Sequence, residues 1–491
     1  MNWSTDGQTP EFLAATRMVS LGDDVVGDIL ARLKLAPGMS VLDVGSGSGE
    51  YCFRLGSATR GVQFTGIEID PAFVEHANRR VTGDIGYPFE KPNSENSYRF
   101  VCGNGLQLPF EDGEFDAVIS HTYLTAVPDW ACALAEMCRV CKPGGIVSSV
   151  TSMTDDFYGT GSFDLFTTLF DPASADLLKA VANAKARLAA PMNLTSGIRP
   201  RKVPVSFDWM GLRDVTCAPL AHYFCLSDAA TSVQERKRYV DLLYLMETNQ
   251  LQRLKACPAT RDMLADEQWD AYADLLQVRR AALSECNENH EWDWYGNTSL
   301  LVCGTVPDNA PSGRWHAFRN ASTEAARVLQ TCIDETLVRN ADTSQLGPGR
   351  CVKVVLSRND GSKLTVCGFD PPRALLEACG VTLGNAEADY QRIESQFRTE
   401  TRALEDLPDL PNETVYGIDD MWEAVSEASM AGVSVQFKDA GALDGCRIVA
   451  CIAVDRDYAG KSASAHPDVR EAVMRAFARA YAALSCSRPP F

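Results

Sequence analysis

The sequence has few of the features that place a protein in a membrane or direct it out of the cell. Its 491 residues contain no apolar run of the length that a bilayer-spanning helix needs, which is about 20 residues. Residues 1–6 carry neither the basic nor the apolar region of a signal peptide. We therefore expect a cytoplasmic protein with no membrane partner.

Positive charge is also scarce. The chain has 46 Lys and Arg residues against 65 Asp and Glu residues, and no basic cluster offsets the resulting net charge of -19. A surface with this charge repels phosphate backbones. We therefore expect no nucleic-acid partner.

Patterns of metal ligands and of disulfide frameworks are absent from the sequence. Histidine occurs only 6 times, and the 17 cysteines are scattered. The one C-x-x-C motif, at Cys138 and Cys141, lacks the second pair of ligands that a structural zinc site needs. We predict reduced thiols that fill the core, and no metal site.

Residues 41–50, VLDVGSGSGE, are the most informative segment of the sequence. They predict a buried strand that ends in a glycine loop just before a helix. Glycines at alternate positions let the backbone turn tightly and let a ligand lie directly on the main chain. The loop alone fits dinucleotide-binding proteins as well as structural turns.

Strand and helix patterns alternate along the first 150 residues. Strands are predicted at residues 41–44, 62–69, 98–102 and 115–120, with helical spacing over residues 12–33, 51–55 and 72–80. This alternation predicts an α/β protein with a parallel, doubly wound sheet, whose ligand lies across the carboxyl ends of the strands. The glycine loop, Glu68, Asn104 and His121 all fall at those ends.

Five motifs follow one another in this half of the chain: VLDVGSGSG, GIEIDP, FVCGNGLQLPF, FDAVIS and EMCRVCKPGG. Together they resemble the class I S-adenosylmethionine-dependent methyltransferases, which have a Rossmann-like fold. A dinucleotide-binding dehydrogenase would share the glycine loop and an acidic residue after the second strand, but not the other three motifs. The resemblance implies a methyltransferase with S-adenosylmethionine as its cofactor.

The resemblance also implies which residues contact the cofactor. The glycines would let the methionine part approach the backbone, with Asp43 near its ammonium group, and Glu68 would accept hydrogen bonds from both ribose hydroxyls. Asn104 replaces the aspartate that is usual in the family, and its carbonyl can still accept from the adenine amine. The full set is Asp43, Gly45, Ser46, Gly47, Gly49, Glu68, Ile69, Asn104, Gly105, Leu106 and His121.

The candidate catalytic residues are His121 and Tyr123. A sulfonium methyl group is already activated, so a site that aligns the acceptor supplies most of the rate, and a base is needed only where the acceptor must lose a proton. His121 is the histidine best placed for that role, with Tyr123 nearby; the alternative is that His121 only shapes the pocket wall. In many relatives the N-terminal segment, here with Trp3 and Arg17, closes over the substrate.

A long helical insertion and a linker define the predicted domains. Residues 220–290 carry the insertion, with Trp269, Tyr272 and Leu276 at helical spacing, and in the resembled family such insertions form a substrate lid. An apolar stripe of this kind is more often core than contact. Residues 306–313 form a Pro- and Gly-containing linker. We predict a methyltransferase domain over residues 1–307 and a smaller α+β domain over residues 308–491.

The second domain resembles the C-terminal half of YcaO-type proteins, which activate backbone amides of ribosomal peptides with ATP. The resemblance rests on residues 419–483, including His466, Pro467 and the helix that follows. Several carboxylates hold magnesium and phosphate in that family. A helix over residues 323–339 would contribute Glu335, but Val338 stands where a second glutamate is expected, and Arg479 replaces a carboxylate. We therefore predict an incomplete ATP site.

Three functional hypotheses follow from the sequence. The first is a methyltransferase that acts on a peptide or small molecule in ribosomal-peptide modification, with the C-terminal domain binding the peptide or a partner enzyme. The second is a small-molecule methyltransferase whose C-terminal domain serves only for dimerisation. The third is an ATP-dependent peptide-modifying enzyme of the YcaO type.

Overall fold

The computed structural model divides the chain into two compact units, Met1–Trp315 and His316–Phe491, here called the N-terminal and C-terminal units. The structure describes residues 8–89, 91–127, 129–152, 174–189, 198, 200–226, 228–229, 231–285, 294–308, 313–345, 351–368, 371–384, 386–400, 404–411, 414–415, 421–455 and 458–487.

The N-terminal unit contains one seven-stranded sheet with helices between the strands. Its strands are β1 (Ser40–Val44), β2 (Gln63–Glu68), β3 (Ser97–Cys102), β4 (Phe115–His121), β5 (Cys141–Ser152), β6 (Arg213–Cys225) and β7 (Trp294–Thr305). Its helices are α1 (Pro10–Ser20), α2 (Asp23–Leu33), α3 (Glu50–Ser57), α4 (Pro71–Thr82), α5 (Tyr123–Ala126), α6 (Trp130–Val140), α7 (Ala175–Ala189), α8 (Val203–Trp209), α9 (Val233–Ala256), α10 (Pro258–Arg261) and α11 (Asp266–Glu285).

The strand order is β3-β2-β1-β4-β5-β7-β6, which is a Rossmann-like arrangement with a mixed sheet. Strands β1 to β5 are parallel to one another, as predicted. The parallel sheet was predicted from the first 150 residues, and β7, which lies beyond them, runs antiparallel to both β5 and β6. The reason is that β6 and β7 pair along their whole length, as the two arms of a hairpin do, with the helical insertion in the position of the hairpin loop.

This pairing fixes where the insertion leaves the sheet. Because β7 is antiparallel to both of its neighbours, β6 runs in the same direction as β5. Cys225, at the end of β6, therefore lies at the carboxyl edge, and the helices α9, α10 and α11 follow from there. We call these three the lid helices. Trp269, Tyr272 and Leu276 are fully buried in a core that the lid helices share with α1 and α7, so these side chains do not line a surface.

The helical pattern over residues 12–33 proves to be two helices. Helix α1 ends at Ser20 with the Leu21 N–H bonded to the Arg17 carbonyl, and α2 begins after Gly22. A Cβ at Gly22 would overlap the His222 ring, so a residue without a side chain is required there. Trp3, which we expected near the substrate, lies outside the described residues. None of the described helices is long and apolar enough to cross a membrane.

Helix α1 is joined to the sheet layer through Glu11. The Glu11 Oε1 atom lies 3.7 Å from Nδ1 of His76, a buried residue of α4. Hydrogen bonding to the His76 side chain lowers the pKa of Glu11 from 4.5 to about 2, although burial opposes this shift. On the opposite side, Thr9 at the start of α1 donates to Asn249 of α9 over 2.9 Å. Polar contacts thus hold α1 between α4 and the lid.

We predict that Glu11→Gln loosens α1 in a pH-dependent way. The pKa of Glu11 is about 2 in the folded protein, against 4.5 for an ordinary glutamate, so its contribution is complete above about pH 4.5 and is lost as the pH falls through 2. Hydrogen exchange of the α1 amides should therefore be faster in the variant at pH 6, with the difference shrinking towards pH 2.5. The exposed Glu75 of α4 offers a control, because Glu75→Gln should leave α1 exchange unchanged at every pH.

The C-terminal unit contains two three-stranded sheets, in the orders β10-β9-β8 and β11-β12-β13. Its strands are β8 (Val338–Gln345), β9 (Val352–Arg358), β10 (Lys363–Gly368), β11 (Ser434–Leu443), β12 (Cys446–Val454) and β13 (Ala459–His466). Its helices are α12 (Gly313–Asp334), which begins at the boundary between the units, α13 (Pro371–Leu383), α14 (Ala386–Glu400), α15 (Met421–Met430) and α16 (Val469–Ser487).

Strand β12 is apolar along nearly its whole length because both of its faces are covered. Val449 and Cys451 face the cluster that contains Phe477 of α16, whereas Ile448 and Ala450 face Ile393 of α14. Strand β13 consists mainly of small residues because α16 packs closely against it. A Cβ at Gly460 would overlap the backbone of α16 at Ala480 and Leu484, so the helix packs directly on this strand.

One predicted helix of this unit was too long. We expected a helix over residues 323–339, but α12 ends at Asp334, Thr336 adopts the left-handed conformation with φ 57°, and Val338 begins β8. Glu335 therefore follows the helix instead of lying on it, and the proposed match to a carboxylate-bearing helix is wrong. Residues 359–362 form the turn of an antiparallel hairpin between β9 and β10.

Arg479, which replaces an expected carboxylate, lies in a buried network of charges. Its guanidinium contacts Glu377 and donates to Glu394 Oε2 over 2.6 Å. Arg475, one helical turn earlier, binds both oxygens of Glu387 at 2.8 and 3.1 Å. Burial raises the pKa of Glu377, while the two arginines oppose that shift. These guanidinium groups neutralise the acidic side chains of α13 and α14.

We predict that Arg479→Met destabilises the C-terminal unit by about 3–5 kcal/mol, because it leaves two buried carboxylates without their partner. Urea unfolding, followed through hydrogen exchange of the β12 amides, measures the effect. Arg447→Met provides the control. Arg447 pairs with Asp439 at the surface, and loss of such a pair changes stability by about 0–1 kcal/mol. Equal effects of the two substitutions would contradict the structural role of the network.

Candidate functional site

The glycine loop lies at the carboxyl end of β1, between β1 and α3. Gly45, Gly47 and Gly49 have φ values of 71°, 51° and 79°, a region that only glycine adopts readily. The N–H groups of Gly45 and Ser46 both donate to the Ile67 carbonyl of the neighbouring strand, at 2.9 and 3.1 Å. The loop is therefore tied to β2 at the carboxyl edge of the sheet.

Glu68, the last residue of β2, fixes the loop from the other side. Its Oε2 accepts from the Gly47 N–H at 3.0 Å, and its Oε1 accepts from the N–H groups of Ile69 and Asp70 at 2.8 and 3.2 Å. Burial raises the pKa of Glu68, and these three donors oppose the shift. A carboxylate has about four acceptor positions, so capacity remains for a further donor.

Asp43 is a buried acid directly under the loop, with only 1% of its surface exposed. Its Oδ2 accepts a weak hydrogen bond from the Cys52 thiol at 3.6 Å, whereas its Oδ1 has no partner in the described part of the chain. Burial raises the pKa of Asp43 from 3.8 to about 7, and the nearby Glu68 charge adds to this rise. A cation placed beside Oδ1 would relieve this cost.

The loop after β3 carries Asn104, Gly105 and Leu106. The Asn104 side-chain carbonyl accepts from the Leu106 N–H at 3.0 Å, which makes a local turn. Asn104 is exposed, and Gly105 and Leu106 are half-buried. The side chain of Ile69 is 59% exposed, so this residue contributes its N–H to Glu68 instead of a packing contact.

A buried ion pair that the sequence did not reveal holds this loop in place. Glu136 of α6 is fully buried, and its Oε2 accepts from the Leu108 N–H at 2.8 Å. Arg139, one turn later, binds Glu136 and donates to the carbonyls of Leu108 and Phe110 at 2.9 and 2.8 Å. The E-x-x-R spacing within the EMCRVCKPGG motif was the available signal. Cys138 and Cys141, between and after these residues, are free and buried.

His121 and Tyr123 lie at the end of β4, facing the loop. The Nδ1 atom of His121 is buried without a hydrogen-bond partner in the described residues, and its ring meets Tyr51 edge-on with centroids 5.4 Å apart. Burial holds the pKa of His121 well below 6.5, so the imidazole is neutral. Burial and the Glu68 charge raise the pKa of Tyr123, so the phenol stays protonated.

Two residues of α1, Arg17 and Leu13, cover the site. Only Arg17 was named from the sequence. Arg17 of α1 donates to Thr122 Oγ1 at 2.7 Å. Leu13, one helical turn earlier, packs so closely on the loop that a Cβ at Gly47 would lie 2.6 Å from its Cδ2 atom. The spacing of four residues, which puts Leu13 and Arg17 on one face of a helix, was the signal for Leu13.

The predicted residues therefore gather at one edge of the sheet, and their chemistry fits S-adenosylmethionine. The buried Oδ1 of Asp43 and the Ser46 hydroxyl have no partners in the described residues, and a buried polar atom without a partner is costly. An ammonium group would satisfy Asp43, and a ribose hydroxyl would use the remaining acceptor position of Glu68. The three glycines add no side chain of their own to the backbone of this loop. Within the described ranges, no cluster of His, Cys, Asp or Glu is arranged to hold a metal.

Comparison with known proteins agrees with this chemistry. Residues 42–149 match the family model described as a methyltransferase domain. An uncharacterized protein of Mycobacterium tuberculosis is 30% identical over 171 residues, which are 32% of this chain and 58% of that protein. A demethylmenaquinone methyltransferase of Staphylococcus aureus is 35% identical over 120 residues, which are 24% of this chain and 45% of that enzyme. The chain thus spans about half the length of these relatives.

Among solved structures, the chain is similar to a geranyl diphosphate C-methyltransferase from Streptomyces coelicolor. The two share 15% identity and a TM-score of 0.30, over 57% of this chain and 78% of that one. From the motif match and the fold, residues 42–149 form a class I methyltransferase domain of the Rossmann-like type. The cofactor of this domain is S-adenosylmethionine.

We predict that Asp43→Asn stabilises the ligand-free protein above neutral pH. The pKa of Asp43 is about 7 in the folded protein, against 3.8 for an ordinary aspartate. The folded state therefore binds more protons between these values, and stability falls as the pH rises through this window. Asparagine removes that cost, so its advantage should grow by about 1–3 kcal/mol between pH 5 and 8, at about 1.4 kcal/mol per pKa unit.

Urea unfolding at both pH values, followed through hydrogen exchange of the β1 amides, measures this difference. Asp116→Asn provides a control of opposite sign, because Lys142 and Ser40 hold the pKa of Asp116 below its usual value despite partial burial. Loss of the Asp116 carboxylate should lower the stability of the protein at pH 8 and change it little at low pH. A constant difference between Asp43→Asn and the wild type across this range would contradict the buried-acid account.

Proposed function

We propose that the chain transfers the methyl group of S-adenosylmethionine to a small-molecule acceptor. The observation that carries the proposal is the set of acceptors at the carboxyl edge, in which Asp43 Oδ1 is buried without a partner in the described residues and Glu68 lies beside the Gly47 N–H. A cation and a diol, both present in this cofactor, match the two carboxylates. The relative that acts on a demethylmenaquinone favours a small-molecule acceptor.

In this proposal Asp43 binds the ammonium group, Glu68 binds the ribose hydroxyls, and Asn104 and Leu106 border the adenine. When bound, S-adenosylmethionine supplies an electrophilic methyl group that needs no further activation. The chain's contribution is to hold the acceptor in line with that group, which is worth several kcal/mol when geometry is fixed. The lid helices and α1 lie at the same edge and are the elements we propose for holding the acceptor.

His121 and Tyr123 have limited roles as proton acceptors in this proposal. Burial lowers the pKa of His121 and raises that of Tyr123, so the imidazole is a weak base and the phenol is a hydrogen-bond donor. General-base catalysis works best when the pKa of the base is near the working pH. We therefore propose that both side chains shape the site and orient the acceptor, which suits an acceptor that needs no strong base.

We predict that Glu68→Gln weakens binding of S-adenosylhomocysteine, the product form of the cofactor, by roughly tenfold or more. The amide keeps the size of the side chain but replaces a charged acceptor with a donor, and hydrogen bonds to charged groups are worth about 1.5–3 kcal/mol. Isothermal titration calorimetry on the full chain measures the change. If the wild-type chain bound neither S-adenosylmethionine nor S-adenosylhomocysteine, the proposed function would be refuted.

Glu95→Gln is the matched control for this experiment. Glu95 is an exposed carboxylate that pairs with Arg60 at 3.1 Å, just before the amino end of β3, and therefore at the edge of the sheet opposite to Glu68. Its substitution should leave the affinity for S-adenosylhomocysteine unchanged. Equal losses of affinity in the two variants would mean that the effect of Glu68→Gln does not come from a lost contact with the ligand.

For the C-terminal unit we propose a binding role, with a peptide substrate, a partner enzyme or a second copy of the chain as the ligand. The support is the resemblance of residues 419–483 to YcaO-type proteins. Ribosomal-peptide modification thus remains a hypothesis about the acceptor. The ATP-dependent alternative gains no support, because Glu377 and Glu394 are paired with Arg479 and are not available to bind a magnesium-phosphate group.

A further inference from the structure

The side chain of Tyr123 fills the space that the glycine loop leaves open. A Cβ at Gly45 would overlap the Tyr123 ring, and a Cβ at Gly105 would overlap its hydroxyl. The ring therefore reaches from the loop after β1 to the loop after β3. The rise that Glu68 causes in the pKa of Tyr123 agrees with this position.

Leu13 fills the neighbouring part of the same space, above Gly47. It comes from α1, whereas Tyr123 comes from the turn after β4, so two separate elements converge on the glycines. Both cover backbone that the sequence requires to be free of side chains. A ligand that approached Gly45 and Gly47 from the side on which a Cβ would point would meet these two side chains.

A hydrogen bond between Arg17 and Thr122 links the two elements. Thr122, directly before Tyr123, adopts the left-handed conformation with φ 56°, which is unusual for a residue with a branched side chain. Its hydroxyl accepts from Arg17 Nη2 at 2.7 Å and donates to the His121 carbonyl at 2.7 Å. Arg17 lies one helical turn after Leu13 on α1. This contact holds the turn in the conformation that carries Tyr123 onto the loop.

We propose that Tyr123 and Leu13 form an autoinhibitory plug of the cofactor cradle, latched by the bond between Arg17 and Thr122, and that the cofactor enters only after the plug leaves. The proposal deepens the proposed function and rests on it. It makes cofactor binding a gated step, in which the apparent affinity equals the intrinsic affinity reduced by the open fraction. Opening displaces Leu13 and therefore moves α1.

The test is stopped-flow binding of S-adenosylhomocysteine to the full chain, followed by tryptophan fluorescence, together with calorimetry. In the wild type, the observed rate should level off at high ligand concentration, because opening becomes limiting. Tyr123→Ala removes most of the plug. Its rate should stay linear with concentration and exceed the wild-type plateau by about tenfold or more, with a lower dissociation constant.

Two further variants separate plugging from other roles of the tyrosine. Tyr123→Phe keeps the ring and should behave as the wild type does, because filling of the cradle is unchanged. Leu13→Ala removes the other residue of the plug and should likewise accelerate ligand binding. This variant serves as the test if Tyr123→Ala does not fold. Tyr87→Ala, at a tyrosine that is 60% exposed, is the control and should change neither rate nor affinity.

Each outcome decides one question. If the wild type binds neither S-adenosylmethionine nor S-adenosylhomocysteine, the proposed function fails. If the wild type and Tyr123→Ala bind with the same rate and affinity, the plug is refuted while the function stands. If Tyr123→Ala binds more weakly, then Tyr123 is a contact of the bound ligand, and the plug is likewise refuted. Faster and tighter binding by Tyr123→Ala, with Tyr123→Phe unchanged, supports the plug.

Discussion

The N-terminal unit depends on the pairing of β1 between β2 and β4. Because all three strands are parallel, their carboxyl ends meet at one edge, and the glycine loop, Glu68 and His121 are brought together there although they are far apart in sequence. The two hydrogen bonds from the loop to Ile67 then fix the loop to the neighbouring strand. A shift of this register by one residue would turn every side chain to the opposite face of the sheet, and would remove both the core and the site.

The same edge carries an energetic cost. Asp43 is an acid in an apolar environment, His121 is a neutral imidazole with a buried unpaired nitrogen, and the Ser46 hydroxyl is buried without a partner, all within the described residues. Such groups lower the stability of the ligand-free protein, and they are also the groups that a charged, hydroxyl-rich ligand would satisfy. The buried carboxylates of the C-terminal unit differ from Asp43 because they have charged partners. The carboxylates of α13 and α14 are paired with arginines of α16, the last helix of that unit.

Much of the sheet was predictable because its strands are short apolar runs that end in glycine or a polar residue. The direction of β7 was not predictable, because the residue pattern of a strand does not indicate the direction in which the chain returns after a long insertion. Strand β8 was missed because it consists largely of polar residues. Strand β13 was missed because most of its residues are small, and small residues are needed there because α16 packs directly on the strand. The position of Tyr123 over Gly45 and Gly105 depends on a single left-handed residue, Thr122, whose conformation no sequence pattern indicated.

The burial of Asp43 has a further consequence for the protein in a living cell. A ligand that binds only the folded state adds stability in proportion to the logarithm of its concentration over its dissociation constant. Under the proposed function, a chain destabilised by a buried acid recovers that energy only while its cofactor is bound. Proteolysis acts on the unfolded fraction, so the half-life of this protein would follow the supply of methyl donor, and the cell would retain the enzyme when its cosubstrate is plentiful.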